Sequence, residues 1–297
     1  MLRSLYSGVS GMKSFQTKMD VIANNIANVN TTAFKSSRVR FQDMLSQTLS
    51  SAQGAGDNLG GVNPRQVGLG VKVGSIDAMM ENGALQPTNR ELDFAIEGNG
   101  FFVVASKFDG GAPIEVLYTR DGGFFRDSAG NVVNSNGEKV LGYLAEDLED
   151  FDADTEITFD MLKPLIIPET DPDNEDRDLQ SYTIDGTGTI TAVYADGTGA
   201  ESKVLGRLAI ATFSTPEGLE KRGNNNYSSS NNSGSPVYGS AGDAGFGVVR
   251  QGFLEMSNVD LANEFTEMVI ASRAYSANSR SITTSDEMLQ ELINLKR

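Results

Sequence analysis

Cysteine, histidine and tryptophan are absent from the 297 residues of the chain. Without cysteine there is no disulfide framework, no thiolate nucleophile and no Cys-ligated zinc site. Without histidine there is no Ser-His-Asp triad and no usual proton shuttle near neutral pH. Paired carboxylates or a Ser-Lys dyad remain open, so catalysis is disfavoured rather than excluded. Positive charge is scarce as well: 24 Lys and Arg face 40 Asp and Glu, for a formal net charge of −16. Nucleic-acid binding needs a basic footprint to displace counterions, and this chain has none to offer. An anionic membrane surface is disfavoured for the same reason, and such charge keeps a monomer soluble. No apolar run reaches the roughly 18 residues of a membrane span. The opening Met1-Leu2-Arg3-Ser4-Leu5-Tyr6-Ser7-Gly8 lacks a continuous apolar h-region. Export, if it occurs, is therefore expected without a cleaved leader.

Proline is missing from the two ends and glycine is scarce there. All eight prolines lie between Pro64 and Pro236; only Gly8 and Gly11 precede Gly54, and no glycine follows Gly252. These residues punctuate local structure, so the ends are free to be helical and the middle is rich in turns. In the first segment Leu2, Leu5, Val9, Met12, Phe15, Met19, Ile22, Ile26 and Val29 recur at steps of three and four, one face of an amphipathic helix. Asn24, Asn25, Asn28 and Asn30 then favour a helix end between Asn28 and Thr31. In the last segment Asp260 is a candidate N-cap, Glu264 favours the first turn, and Lys296-Arg297 complement the macrodipole at the far end. Leu261, Phe265, Met268, Tyr275, Ile282, Leu289 and Ile293 lie close to a heptad seam, interrupted by Ser272, Ser279 and Asp286. That seam is too polar for a self-sufficient coiled coil.

The middle reads as β-structure. Leu92-Asp93-Phe94-Ala95-Ile96 alternates, and Glu97-Gly98-Asn99-Gly100 then turns into Phe101-Phe102-Val103-Val104, a hairpin signature. Val71 to Ile76 and Val204 to Phe213 read as further strands. Turns at Asp121-Gly122-Gly123, Ala129-Gly130-Asn131, Asn136-Gly137, Asp185-Gly186 and Asp196-Gly197 separate short strands. The expected fold class is α+β: a discontinuous terminal helical coiled-coil domain plus a mainly antiparallel β domain, sandwich or open barrel. The expected division is 1–35 with 255–297 as the helical domain, 36–70 as a bridging linker, and 71–254 as the β domain with a long acidic excursion at 146–178. Ser50 to Gly70 reads as a flexible connection and Gly223 to Gly247 as a surface loop. The acidic excursion invites a calcium reading, because Asp150, Asp152 and Asp154 have the first EF-hand spacings. Thr155 and Met161 stand where glycine and glutamate belong, and Asp171, Asp173 and Glu175 fail likewise at Asp176. A solvated loop is the better reading, and no metal, cofactor or catalytic residue is nominated.

Neither terminal helix can cover its apolar stripe alone, and one pair leaves half of each cylinder wet. The ends are accordingly expected to be disordered in a dilute monomer and to order against neighbouring copies. Arg3, Lys13 and Lys18 on the first helix oppose Glu264, Glu267, Asp286, Glu287 and Glu291 on the last, which favours pairing modestly. A plain pair of helices docked on the β domain of a monomer stands beside this reading.

Ala23-Asn24-Asn25-Ile26-Ala27-Asn28-Val29-Asn30-Thr31-Thr32-Ala33-Phe34-Lys35 closely resembles the N-terminal signature of the flagellar rod and hook protein family. Ser257-Asn258-Val259-Asp260-Leu261, with Glu264-Phe265 and Met268-Val269, is similar to the signature that opens the family's C-terminal helix. Arg273-Ala274-Tyr275 and Ile282 to Leu289 continue it. Leu92 to Ile96, Gly98 to Phe102 and Tyr118-Thr119-Arg120 look like the family's β-domain motifs. Met1 to Met12 and Gln66 to Val73 resemble the hook members, of the short type found in Gram-positive bacteria, with distal rod members close behind.

The resemblance implies a structural protein, not an enzyme. It would be a homopolymer whose terminal helices pack into an inner tube around an export channel, with the β domain as an outer layer, transmitting torque from rod to filament. It implies as partners the distal rod and hook-filament junction proteins, and the hook cap and flagellar type III export apparatus during assembly. It implies no nucleic acid and no membrane insertion, and an extracellular place in the flagellar hook or basal body. Its assembly residues would be the apolar positions of both terminal helices with Asn24, Asn25, Asn28, Asn30, Phe34, Lys35, Asn258, Val259 and Asp260. A secreted β-rich adhesin with helical stalks and a carboxylate-based hydrolase are the rival readings.

Overall fold

A computed structural model describes residues 2–54, 60–109, 112–144, 159–171, 177–196 and 199–295. The chain forms two compact units: Met1–Val29, Ser36–Met79 and Val259–Arg297 make the first, and Asn30–Lys35 with Met80–Asn258 the second. Among the described residues the fold is α+β, with the α-helices at the ends of the chain and every strand pairing antiparallel.

The first unit holds helices α1 (Leu2–Ala27) and α2 (Leu261–Leu295). Helix α1 stops at the asparagine cluster, where the Asn28 side-chain amide donates to the Asn24 carbonyl at 2.9 Å and to its side-chain oxygen at 2.8 Å. Helix α2 starts on Asp260, whose Oδ1 accepts from the backbone N–H of Ala262 at 2.9 Å and of Asn263 at 3.4 Å. Such a cap contributes about 1 kcal/mol. Lys296 and Arg297 lie outside the described residues. Strands β1 (Ser37–Asp43) and β4 (Val71–Ala78) form a two-stranded sheet with a bulge at Arg40/Phe41. Its continuation, β2 (Ser46–Ser50) with β3 (Arg65–Gly68), is a ribbon exposed along its whole length. Residues 36–70 thus hold paired strands where a linker was expected. Gly54, Gly60 and Gly61 sit toward the ribbon's far end, and Gly68 and Gly70 at its junction with β4.

The second unit is built on a twelve-stranded sheet. Strand Phe101–Asp109 lies at its centre, between Ala112–Thr119 on one side and Lys139–Leu144 and Gly199–Thr212 on the other. Both faces of that strand are buried: Phe102 and Val104 enter one apolar cluster, Phe101, Val103 and Ala105 the other. This explains its unbroken apolar run, since a strand covered on two sides does not alternate. The hairpin expected from Leu92 to Val104 does not form. Phe94–Glu97 pairs instead with Val248–Gln251, because Gly98 (φ 115°) and Gly100 (φ 136°) send the chain off into a different sheet. The stretch 223–247 is also more than a loop. Asn226–Ser228 is a buried strand paired with Ala112–Thr119, and Val237–Ser240 pairs with Gly199–Thr212. Its Asn and Gly residues serve the turn, where Asn224 and Asn225 take positive φ. The acidic segments 145–158 and 172–176 lie outside the described residues. Among those described, no group of three acidic side chains is placed to hold a metal ion.

Segment 30–35 is clasped into the second unit residue by residue. Thr32 donates to Asp121 Oδ1 at 3.3 Å, and its carbonyl accepts from the Asn225 amide at 3.0 Å. Ala33 is buried with φ 57°, donating its N–H to the Glu255 carbonyl at 2.8 Å. Lys221 lies over the Phe34 ring at 4.9 Å and donates to the Lys35 carbonyl. Lys35, 1% exposed, donates to Glu255 Oε1 at 2.5 Å and to the Glu81 carbonyl at 2.8 Å. Glu255 also accepts from the Gly83 N–H at 2.9 Å and faces Arg120 at 3.6 Å. Burial pulls the Lys35 ammonium below the ordinary lysine range, and the Glu255 carboxylate pushes back.

Breaking a buried pair strands the surviving charge at a cost of about 3–5 kcal/mol. Lys35→Met should lower the stability of the β unit by that amount in urea unfolding followed by tyrosine fluorescence. A loss under about 1 kcal/mol would mean that Arg120 and Gly83 suffice to hold Glu255.

Candidate assembly surface

The helix pair of the first unit is antiparallel and in strict register. Ser4 meets Ser285 with hydroxyls 3.3 Å apart, Gly8 lies under Ile282, Gly11 under Asn278, and Asn25 bonds Glu264 at 2.9 Å. The two glycines let the helices approach closely. A Cβ on Gly8 would stand 3.0 Å from Ile282 Cγ1, and one on Gly11 2.8 Å from Asn278 Nδ2. Small side chains on α2 complete the seam, with Ala271 and Ser285 buried. The other side of α1 packs on β1 and β4, where Phe15 meets Phe41 edge-on at 5.4 Å and Ser14 donates to the Val71 carbonyl.

A seam built from small residues leaves large ones outside. On α2, Met268, Ile282 and Leu289 are half-buried, whereas Leu261 (39% exposed), Phe265 (52%), Tyr275 (37%) and Ile293 (67%) are exposed. The seam line thus runs one residue away from the heptad drawn through the bulky positions, on Glu264, Ala271, Asn278 and Ser285 rather than Phe265, Ser272, Ser279 and Asp286. Val269 and Ile270 are also bare, and the heptad pattern had passed over them. Helix α2 outruns α1. With Ser4 opposite Ser285, residues beyond Leu289 have no turn of α1 across from them, and Leu292, Ile293 and Leu295 extend unpaired with at least half their surface exposed.

The remaining expected residues divide plainly. On α1, Val9 is exposed; Leu5, Met12, Phe15, Met19 and Ile26 are half-buried; Ile22 is buried; and the Leu2 side chain lies outside the described residues. Asn25 is buried and fully engaged, bonding Glu264 and both the N–H and the carbonyl of Ser37. Asn24 and Asn30 are exposed, and Asn28 and Val29 half-buried. Lys35 is enclosed in the second unit, beside half-buried Phe34; Asn258 and Val259 are half-buried, and Asp260 is spent on its cap. Sequence reasoning missed the ribbon. Leu45, Leu49 and Val62 stand 83%, 60% and 49% exposed on or beside β2 and β3. Two strands alone are marginally stable in water, and both edges and both faces of this pair are uncovered.

Lys18 pairs with Glu267 at 2.5 Å on the rim of a groove of about 300 Å³ that Ile22, Val39, Met79 and Glu264 also line. No helix among the described residues is long and apolar enough to cross a membrane.

Three family models match this chain: "Flagella basal body rod protein" over residues 5–35, "Flagellar hook protein FlgE/F/G D1 domain" over 95–192, and "Flagellar basal body rod FlgEFG protein C-terminal" over 250–295. The flagellar basal-body rod protein FlgG of Bacillus subtilis is 46% identical over 298 residues, covering all of both chains. The chain belongs to the flagellar hook and basal-body rod protein family. Other family members align end to end too: the FlgG of Borreliella burgdorferi at 39% identity over 298 residues, and the flagellar hook protein FlgE of the same organism at 31% over 450. The terminal matches cover most of α1 and α2, the helices that carry the bare apolar positions. The family is a structural component of the bacterial flagellum.

Two variants check the seam. Gly11→Val forces a β-branched side chain against Asn278 and should cost about 1–3 kcal/mol of helix pairing, read as lost helical circular dichroism. Glu264 sits above the ordinary glutamate value of 4.5, chiefly through burial. A raised folded pKa means stability is full below that value and is lost as pH climbs through the raised one. Glu264→Gln keeps an acceptor for Asn25 and should flatten helix stability across that mildly acidic window; an unchanged slope would place the titration elsewhere.

Proposed function

We propose that this chain is a subunit of the flagellar basal-body rod, polymerising into a hollow helical tube through its terminal helices and catalysing no reaction. The observation that carries the assembly is the bare apolar surface of α2. Fully burying one such side chain is worth about 1.5–3 kcal/mol, and several stand in a row on a helix that its own chain covers along one seam only. Copies of the same chain are the natural cover, because a repeated head-to-tail contact that does not close gives a filament. The exposed ribbon of β2 and β3 supplies a second contact of the same kind. In the polymer the helices form the inner wall around a channel. Asn25 and Lys35 hold their own chain together, and the contacts with neighbours fall to Val9, Leu261, Phe265, Tyr275 and Ile293.

What favours rod over hook is identity and length. The relatives named as rod proteins match at 33–46% over 290 to 298 columns, whereas the hook proteins match at 31% and 29% over 450 and 472. The hook reading rests on Met1 to Met12 and Gln66 to Val73, and on hook relatives that are also matched along their whole length. Export through the flagellar type III pathway and junctions with neighbouring axial proteins follow from either reading.

Electron microscopy of purified, polymerised protein separates the two: straight tubes support the rod, curved ones the hook, and absence of tubes overturns both. Ile293→Asp should raise the critical concentration for polymerisation by about tenfold or more, the equivalent of one lost apolar side chain, while unit-two stability stays unchanged.

A further inference from the structure

The chain contains three Asn-Gly dipeptides, at 82–83, 99–100 and 136–137. In such a pair the glycine amide nitrogen can attack the asparagine side-chain carbonyl. The new C–N bond closes a succinimide, ammonia leaves, and water then opens the ring to aspartate or isoaspartate. The step needs a free side chain, a free glycine N–H and room for the ring. The fold denies the room to two of the pairs.

At the first pair, Asn82 Oδ1 accepts from Arg120 at 3.1 Å, and the Gly83 N–H, the would-be nucleophile, donates to buried Glu255 at 2.9 Å. Even a Cβ on Gly83 would lie 1.9 Å from the Met256 carbonyl oxygen. At the second, Asn99 is exposed, but Gly100 is buried with a Cβ position 2.3 Å from Ile210, and the backbone is fixed by the Asn99 main-chain carbonyl accepting from Gly247 at 2.7 Å, which leaves no room for the ring. The third pair differs in exposure and in room. Asn136 and Gly137 are both exposed, and no atom lies within 4 Å of a Cβ on Gly137. Gly137 already takes φ 81°, and one turn hydrogen bond, to the Asn134 carbonyl at 3.0 Å, restrains its N–H.

We propose that Asn136 is a site of spontaneous deamidation in the folded protein, and that Asn82 and Asn99 are protected by the fold. The conversion puts a carboxylate two residues from Glu138, whose Oε2 already accepts from Asn134 and Asn226 at 2.6 Å each. It carries the formal net charge one step below −16. The charge of each molecule then records its age.

The test is incubation of the full-length folded protein in mildly alkaline heavy-oxygen water, followed by peptide mass analysis and isoaspartate detection. Label and isoaspartate should accumulate in the peptide spanning 136–137 at least about tenfold faster than in those spanning 82–83 and 99–100, since the latter react only through local opening. In denaturant all three should convert. Asn136→Gln should abolish the early acidic shift on ion exchange and leave the other two peptides unchanged. Equal rates at the three sites in the folded protein, or no conversion at Asn136 while denatured protein converts, would overturn the proposal.

Discussion

The approach of α1 to α2 along Gly8 and Gly11 sets the terms for the whole helical unit. With no side chain at those points the backbones come near enough for Ser4 to reach Ser285 and for Asn25 to bridge to Glu264. The seam that results is narrow and partly polar. Its small residues bury little apolar area, so it aligns the helices more than it stabilises them. Outside that seam Leu261, Phe265, Tyr275 and Ile293 of α2 stand exposed.

The β unit solves the opposite problem. Its central strand is apolar on both faces, its glycines let neighbouring backbones cross, and its charges are enclosed and paired around Glu255. That carboxylate binds Lys35, Gly83 and Arg120, which are brought together from distant parts of the chain. A buried ion network is weak as a source of net stability but costly to disturb, so it fixes a geometry. The unit therefore encloses its core within one chain, whereas the helical unit leaves large apolar side chains of α2 exposed.

Much of this was legible beforehand, for identifiable reasons. The ends lack proline and carry only Gly8 and Gly11, so both helices and the Asp260 cap could be read directly. The turn at Asn136-Gly137 was legible because Gly137 takes φ 81°, a conformation that favours glycine. The α2 seam was misplaced by one residue because a heptad drawn through Phe265 and Ile293 follows bulk, whereas the contact selected Ala271 and Ser285. Strand Phe94–Glu97 was assigned the wrong partner, since pairing over more than 150 residues leaves no local trace. The ribbon at 46–68 escaped notice because its polar, glycine-flanked strands look like a tether. Lys35 and Glu255, 220 positions apart, offer no hint of each other in one sequence.

The pairing of the first helix with the last has a kinetic meaning. Ser4 and Ser285 are separated by 281 positions, so nearly the whole polypeptide must exist before their contact can close. Loops of that span form late relative to the short-range hairpins between them. Whichever end emerges first from a narrow conduit, its helix waits unaccompanied until the other arrives. The β unit, by contrast, has most of its pairings within reach much earlier.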